Sequence, residues 1–191
     1  MSQGGGGGGG GHGHSHGPAA GAAAGAAVGG PRDVTEHVLR KGVFALNNST
    51  DAAHVFQGGA TLVCRSDADA QLILCVPFSQ TVRLTGLAVG APLGAEAPAT
   101  LKIFVNRPAL GFEDVGDVEP AQAFTLTDAD LGEDTQLKLK VAKFTAVNSL
   151  HLFVEGADGA DRVAVSSLRF FGHLAQGGGA DYKQLGKKEE E

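Results

Sequence analysis

Leu150-His151-Leu152-Phe153-Val154-Glu155 is the run that decides the fold class. Leu150, Leu152 and Val154 recur at every second position. That period belongs to a strand with one buried face, not to a helix. His151 is out of phase with the two leucines and is therefore expected on the outer face of its strand. Val82-Arg83-Leu84-Thr85 and Leu137-Lys138-Leu139-Lys140-Val141 repeat the alternation. Further short apolar runs lie at 61–65, 71–76, 100–105, 123–127 and 162–171. Turn chemistry separates them, including Ser66-Asp67, Pro77, Gly90, Pro92, Gly94, Pro98, Pro108, Gly111, Gly116 and Pro120. Eight or nine short strands at this spacing predict an all-β fold, an antiparallel β-sandwich or jelly roll. Only 34–45 offers a helical turn. The expected core is Leu62, Ile73, Phe78, Leu84, Leu87, Ile103, Phe124, Leu139, Phe144, Leu152 and Leu168.

The ends of the chain read differently. Of 30 glycines in 191 residues, 14 fall within the first 30 positions, a stretch without a charged residue. Such a segment buries too little apolar surface to offset its chain entropy. The expected organisation is a disordered Gly/Ala/His-rich leader over 1–32, one β-sandwich domain over 33–175 and a flexible charged tail over 176–191. His12, His14 and His16 are a weak candidate for Zn²⁺, Ni²⁺ or Cu²⁺, and a solubilising tail is the favoured reading of them. No other metal site and no cofactor is expected.

Net charge is −6, which leaves no basic surplus for a phosphate backbone, so no nucleic-acid partner is expected. No run of 18 apolar residues occurs, so no membrane span is expected. The charge is local. Residues 113–134 hold Glu113, Asp114, Asp117, Glu119, Asp128, Asp130, Glu133 and Asp134 with no Lys or Arg, so this segment carries −8 and the remainder +2. An acidic segment is usually a solvated loop. Its functional reading is a partner-binding face that steers a basic protein.

Enzyme signatures are missing: there is no Cys-x-x-Cys, no Gly-x-Ser-x-Gly, no phosphate loop and no His-Glu-x-x-His. Cys64 and Cys75 could pair if they were neighbours on adjacent strands. Buried free thiols of a cytosolic protein are the favoured reading. Asp67 and Asp69 form an Asp-x-Asp pair before a strand. A turn role is expected for them ahead of cation binding, with Asp67→Ala costing about 1 kcal/mol through the lost turn bond.

Three stretches carry a resemblance. The first is Ser66-Asp-Ala-Asp-Ala-Gln-Leu-Ile-Leu-Cys-Val-Pro-Phe78, with Asp67, Asp69, Pro77 and Phe78. The second is Leu101-Lys-Ile-Phe-Val-Asn-Arg-Pro-Ala-Leu-Gly-Phe-Glu-Asp114, with Asn106, Pro108 and Phe112, leading to Glu119-Pro-Ala-Gln-Ala-Phe-Thr-Leu126. The third is Lys143-Phe-Thr-Ala-Val-Asn-Ser-Leu-His-Leu-Phe-Val154, with Phe144, followed by Gly159-Ala-Asp161 and Leu168-Arg-Phe-Phe-Gly172. Together with Ala45-Leu-Asn47 they resemble the PITH domain family over about 40–175, in one order. The resemblance implies a galactose-binding-like sandwich and a non-enzymatic adaptor that docks on the regulatory particle of the 26S proteasome. The expected setting is the cytoplasm and the nucleus, and the free protein is expected to be a monomer. The alternatives are an interaction subunit of another large assembly and a small-ligand or carbohydrate-binding sandwich. For the last, the chain lacks Trp and has one Tyr, Tyr182, so an aromatic sugar platform is missing.

Overall fold

The computed structural model describes residues 30–59 and 61–175. Among the described residues, ten antiparallel strands form the domain: β1 (Arg32–Asp33), β2 (Phe44–Leu46), β3 (Cys64–Arg65), β4 (Gln71–Gly90), β5 (Pro98–Val105), β6 (Gln122–Thr125), β7 (Leu137–Lys138), β8 (Val147–Gly156), β9 (Ala164–Val165) and β10 (Ser167–Leu174). Short 3₁₀ turns at Thr35–His37 and Arg40–Gly42 occupy the region where a helical turn was expected.

The 20-residue β4 organises both layers. Its first half pairs with β8 on one side and β2 on the other. Its second half pairs with β10 and β7. Between Pro77 and Val82 the register to β8 shifts, and there the strand turns from one layer into the other. Pro77 is therefore not the turn that the sequence indicates. It sits where the ladder is already interrupted, so its missing N–H costs little, and its carbonyl accepts from the Leu39 N–H at 2.8 Å. β5 lies beyond β8 and β6 beyond β5, while β1 extends the β10 side.

The main core lies between the layers. It includes Leu72, Leu74, Leu84, Leu87, Ile103, Phe144, Leu150, Leu152, Leu168 and Phe170. Of the expected core residues, Leu62 is 36 % exposed and Phe124 only partly buried, because 61–63 is not a strand and β6 is an edge. Ile73 is fully buried but on the other side of the sheet, in a second cluster with Phe104, Phe153, Leu110 and Val115. That cluster exists because the segment between β5 and β6, with its single helical turn α1 (Asp114–Asp117), lies as a strap over the outer face.

The strap changes the position of His151. The residue is on the outer face, as its phase requires, yet only 3 % exposed. Its register partners are Cys75 on β4 and Phe104 on β5, and its Nδ1 has no hydrogen-bond partner. Burial first, and the charge of Arg107 second, push its pKa down. A histidine held neutral contributes stability that is fully present above its unfolded value of about 6.5 and is lost as pH falls through the lower folded value. We therefore expect the wild-type melting temperature to fall more between pH 7.5 and pH 5 than that of His151→Gln. Equal losses in a calorimetric pH series would refute the assignment.

The two cysteines are free, and they are not neighbours. Cys64 pairs in register with Val165 inside the main core, while Cys75 lies beside His151 on the outer face. Burial, reinforced by Asp51, pushes the Cys64 thiol up to about 12, and burial also raises Cys75. Both are thus poor nucleophiles.

Candidate functional site

The residues of the three resembling stretches sort to the two ends of β8 and to the core. At one end, Asn47 adopts a left-handed conformation with φ 62°. Its Nδ2 donates to Asp69 Oδ1 at 2.8 Å and to the Gln71 carbonyl at 2.6 Å, and its Oδ1 accepts from the Ala68 N–H. Asp69 Oδ1 also accepts from the Gln71 N–H at 3.1 Å. Asp69, not Asp67, thus carries the turn bond. Asp67 is exposed and meets only the Arg162 guanidinium through its side chain, at 3.4 Å. We expect Asp69→Ala to cost about 1–2 kcal/mol in denaturant unfolding and Asp67→Ala less than about 0.5 kcal/mol. The reverse order would overturn the assignment. Asp161 is exposed in the loop 157–162, which lines a groove of about 450 Å³ together with Glu96.

At the other end, Asn106 is also left-handed, with φ 52°. It clamps the entry to β8: its Nδ2 donates to the Ala146 carbonyl, and its Oδ1 accepts from the N–H groups of Asn148 and Ser149. Asn tolerates this backbone region better than most residues, which accounts for its use at both clamps. Pro108 is exposed, at the start of the strap. Phe112 anchors the strap edge-on against Phe153, with ring centroids 6.4 Å apart. Phe78 is buried edge-on against Phe170 at 5.3 Å, and Phe144 is fully buried. These residues build the domain, and none is poised for chemistry.

The eight acidic residues of 113–134 divide into two groups. Glu113, Asp114, Asp117 and Glu119 belong to the strap. Asp114 closes its turn by accepting from the Gly111 N–H, while Glu113, Asp117 and Glu119 are exposed. Among the described residues, Lys143 is the only ion-pair partner for this group, reaching Glu119 at 3.9 Å. Asp128, Asp130, Glu133 and Asp134 follow β6 and attach beside the far end of β4, through the Leu131–Val89 bridge. Asp130 caps its turn at Thr127, and these hydrogen bonds hold its carboxyl below the usual range. Asp134 approaches Arg169 at 3.8 Å.

Glu133 of the second group borders a cleft of about 510 Å³. Its walls come from β1, the 3₁₀ turns at Thr35–His37 and Ala52–Phe56, Glu133 and the start of β10. Phe56 supplies partly accessible apolar surface, above the buried Val55 and Leu168. Arg169 meets Asp33 Oδ2 through Nε and Nη2, both at 3.0 Å, and lies 5.3 Å from the centre of the Phe171 ring. Burial tends to raise the Asp33 pKa, but Thr35, through its hydroxyl and amide, and Arg169 together outweigh it, so the carboxyl is lowered. Arg40 donates to the Phe56 carbonyl and stands 5.4 Å from that ring's centre. An arginine amid the apolar run 168–171 is the one local hint of this site.

No group of three His, Cys, Asp or Glu able to hold a metal occurs among the described residues. His12, His14 and His16 lie outside them.

The PITH domain family model matches residues 24–189. "Thioredoxin-like protein 1" of Schizosaccharomyces pombe is 31 % identical, over 64 % of this chain and 44 % of its own length. "PITH domain-containing protein 1" of Danio rerio is 31 % identical, over 58 % of this chain and 52 % of its own. The chain thus spans about half the length of these relatives. Among solved structures, the family 32 CBM of C. perfringens NanJ, determined with galactose, superposes with a TM-score of 0.51 at 10 % identity, over 74 % of this chain and 98 % of that one. The CBM32-1 and CBM32-2 domains of Clostridium perfringens ZmpB, determined with GalNAc, give 0.52 at 12 %, over 74 % and 36 %. The fold is the galactose-binding-like β-sandwich of these modules.

Proposed function

This chain belongs to the PITH domain family, and from that premise we propose that it is a non-enzymatic protein-interaction module, an adaptor that docks on the regulatory particle of the 26S proteasome in the cytoplasm and nucleus. The observation that carries the interaction reading is the acidic strap. Glu113, Asp117 and Glu119 stand exposed on a segment bound to the sheet by its apolar side chains. Carboxylates so placed speed encounter with a basic partner and disfavour acidic ones. Both thiols are buried, and so is His151, whose Nδ1 has no hydrogen-bond partner.

The test is affinity purification from a native lysate at low and physiological salt. The tagged full chain is expected to retain regulatory-particle subunits, more at low salt. The triple variant Glu113→Lys, Asp117→Lys, Glu119→Lys is expected to lose them at an unchanged melting temperature. Asp114 is left intact in that variant because it closes the strap turn. Failure of the wild type to retain any proteasome subunit would refute the docking. Undiminished retention by the variant would refute the acidic strap as the contact.

A further inference from the structure

The strap is fastened at its two ends. At one end the Asn106 N–H donates to the Ser149 carbonyl at 2.9 Å, and at the other the Ala121 N–H donates to the Ile103 carbonyl at 2.7 Å. From 107 to 120 the hydrogen bonds of the strap are its own: Gly111 with Asp114, Val115 with Phe112 and Val118 with Asp114. Among the described residues, only the Lys143–Glu119 ion pair and apolar side chains hold this stretch to the rest of the domain. Such a segment can leave the sheet without breaking a ladder bond. We propose that the strap is an acid-released lid: when His151 takes up a proton, 107–120 lifts and bares the apolar face made by Ile73, Phe104 and Phe153, while the sandwich stays folded. The inference concerns the free chain, so it goes beyond the docking reading and needs no partner.

His151 sits where a proton has this effect. Across the ladders it is flanked by Cys75 and Phe104, and the next residue of β8 on the same face is Phe153. Leu110 and Val115 of the strap pack with Phe104 and Phe153. The imidazole among them is 3 % exposed, and its Nδ1 has no partner. A neutral ring with its proton on Nε2 leaves one unfilled acceptor there. A protonated ring carries two N–H donors and a full charge. Buried and unpaired, that charge must find water or an acid.

The surroundings supply no acid. Arg107 of the strap has the same sign as the imidazolium and, after burial, opposes protonation. Lys102 of β5 stands over the Phe153 ring, 5.6 Å from its centre. Glu155 of β8 accepts from the Gln71 side chain of β4. Asp114 closes the strap turn, and Glu113, Asp117 and Glu119 are exposed. Burial holds the Cys75 thiol neutral, and β2 brings Phe44 opposite Cys75 but no ionisable group. Water is the partner that remains. The strap is the part that moves to admit it, because the other neighbours are fixed in ladders.

The experiment is amide hydrogen exchange on the full chain at pH 7.5 and pH 5.0, each rate divided by the intrinsic rate at that pH. An imidazole of ordinary pKa, about 6.5, that is uncovered only in the open strap raises the open population by up to about thirtyfold between these two values. Protection along 107–118 is expected to fall by up to that factor while the β4–β10 ladder stays protected. In His151→Gln, which takes up no proton, strap protection is expected to be equal at both pH values. Arg107→Gln removes an opposing charge from an exposed position, so its strap is expected to lose protection at a higher pH than the wild type. That variant decides the matter if Gln at 151 leaves the strap open throughout. The proposal fails if wild-type strap protection is equal at the two pH values, or if His151→Gln loses as much as the wild type. It fails equally if strap and ladder exchange at one rate at pH 5.0, or if Arg107→Gln leaves the pH of release unmoved or lowers it.

Discussion

Gly172→Ala should unfold most of the protein at temperatures where the wild type is intact, a loss of more than about 3 kcal/mol. Gly172 sits at the register shift between β10 and β4, where Phe171 pairs with Gly86 but Gly172 with Leu84. The extra residue, Thr85, bonds the Phe171 carbonyl through its hydroxyl. A Cβ at Gly172 would stand well inside contact distance of the Arg83 carbonyl oxygen, and 3.0 Å from Arg83 C and Leu84 Cα. All three are backbone atoms in the middle of a ladder, so no rotamer change relieves the clash. Only parting β10 from β4 would, and that opens the main core at Leu168 and Phe170. Gly116→Ala is the control, since nothing lies within 4 Å of a Cβ there. It should be neutral or slightly stabilising. A thermal melt placing Gly172→Ala within about 2 °C of wild type would overturn the account.

How much of this was legible in the sequence follows from what each signal measures. Alternation reports one buried face, so β8 and the second half of β4 were readable from Leu150–Val154 and Val82–Thr85. Gln71–Val76 was readable as a strand but not as half of a longer one. A proline is a local stop signal, and only the ladder slip at Pro77–Val82 makes it harmless. Burial of His151 was not readable, because the cover comes from the strap, a segment distant in sequence. Asn47 and Asn106 entered as letters of a resemblance, and their left-handed backbone and clamp bonds required coordinates. The cleft was least legible. Asp33, Glu36 and Arg40 come from one end of the domain, Ser167 and Arg169 from the other, and Glu133 from between. The acidic segment looked like one patch because its charges are contiguous in sequence, whereas β6, paired with β5, divides them.

Phe144→Ala and Phe112→Ala should separate the domain's stability from the integrity of its strap. Phe144 is fully buried in the main core, and its backbone is tied on both sides: its N–H donates to the Val141 carbonyl, and its carbonyl accepts from the Leu84 N–H. Truncating it removes a large apolar side chain and leaves a cavity that neighbours fixed in two layers cannot close. The expected cost is about 3–5 kcal/mol in chemical denaturation, a large part of a typical domain's stability. Phe112 is only partly buried and packs on the smaller outer cluster through Phe153. Its truncation should cost about 1–2 kcal/mol, because the exposed strap can settle into the space. Its sharper effect should be local. Amide exchange should quicken along 107–118 and at His151 while the β4–β10 ladder stays protected, since loosely anchored segments open without global unfolding. The docking proposed above, through Glu113, Asp117 and Glu119, requires the strap in place, so under that proposal Phe112→Ala should weaken partner capture in a protein that still melts cooperatively. Equal destabilisation by the two variants, or unchanged exchange along the strap in Phe112→Ala, would show that strap and core are one cooperative unit.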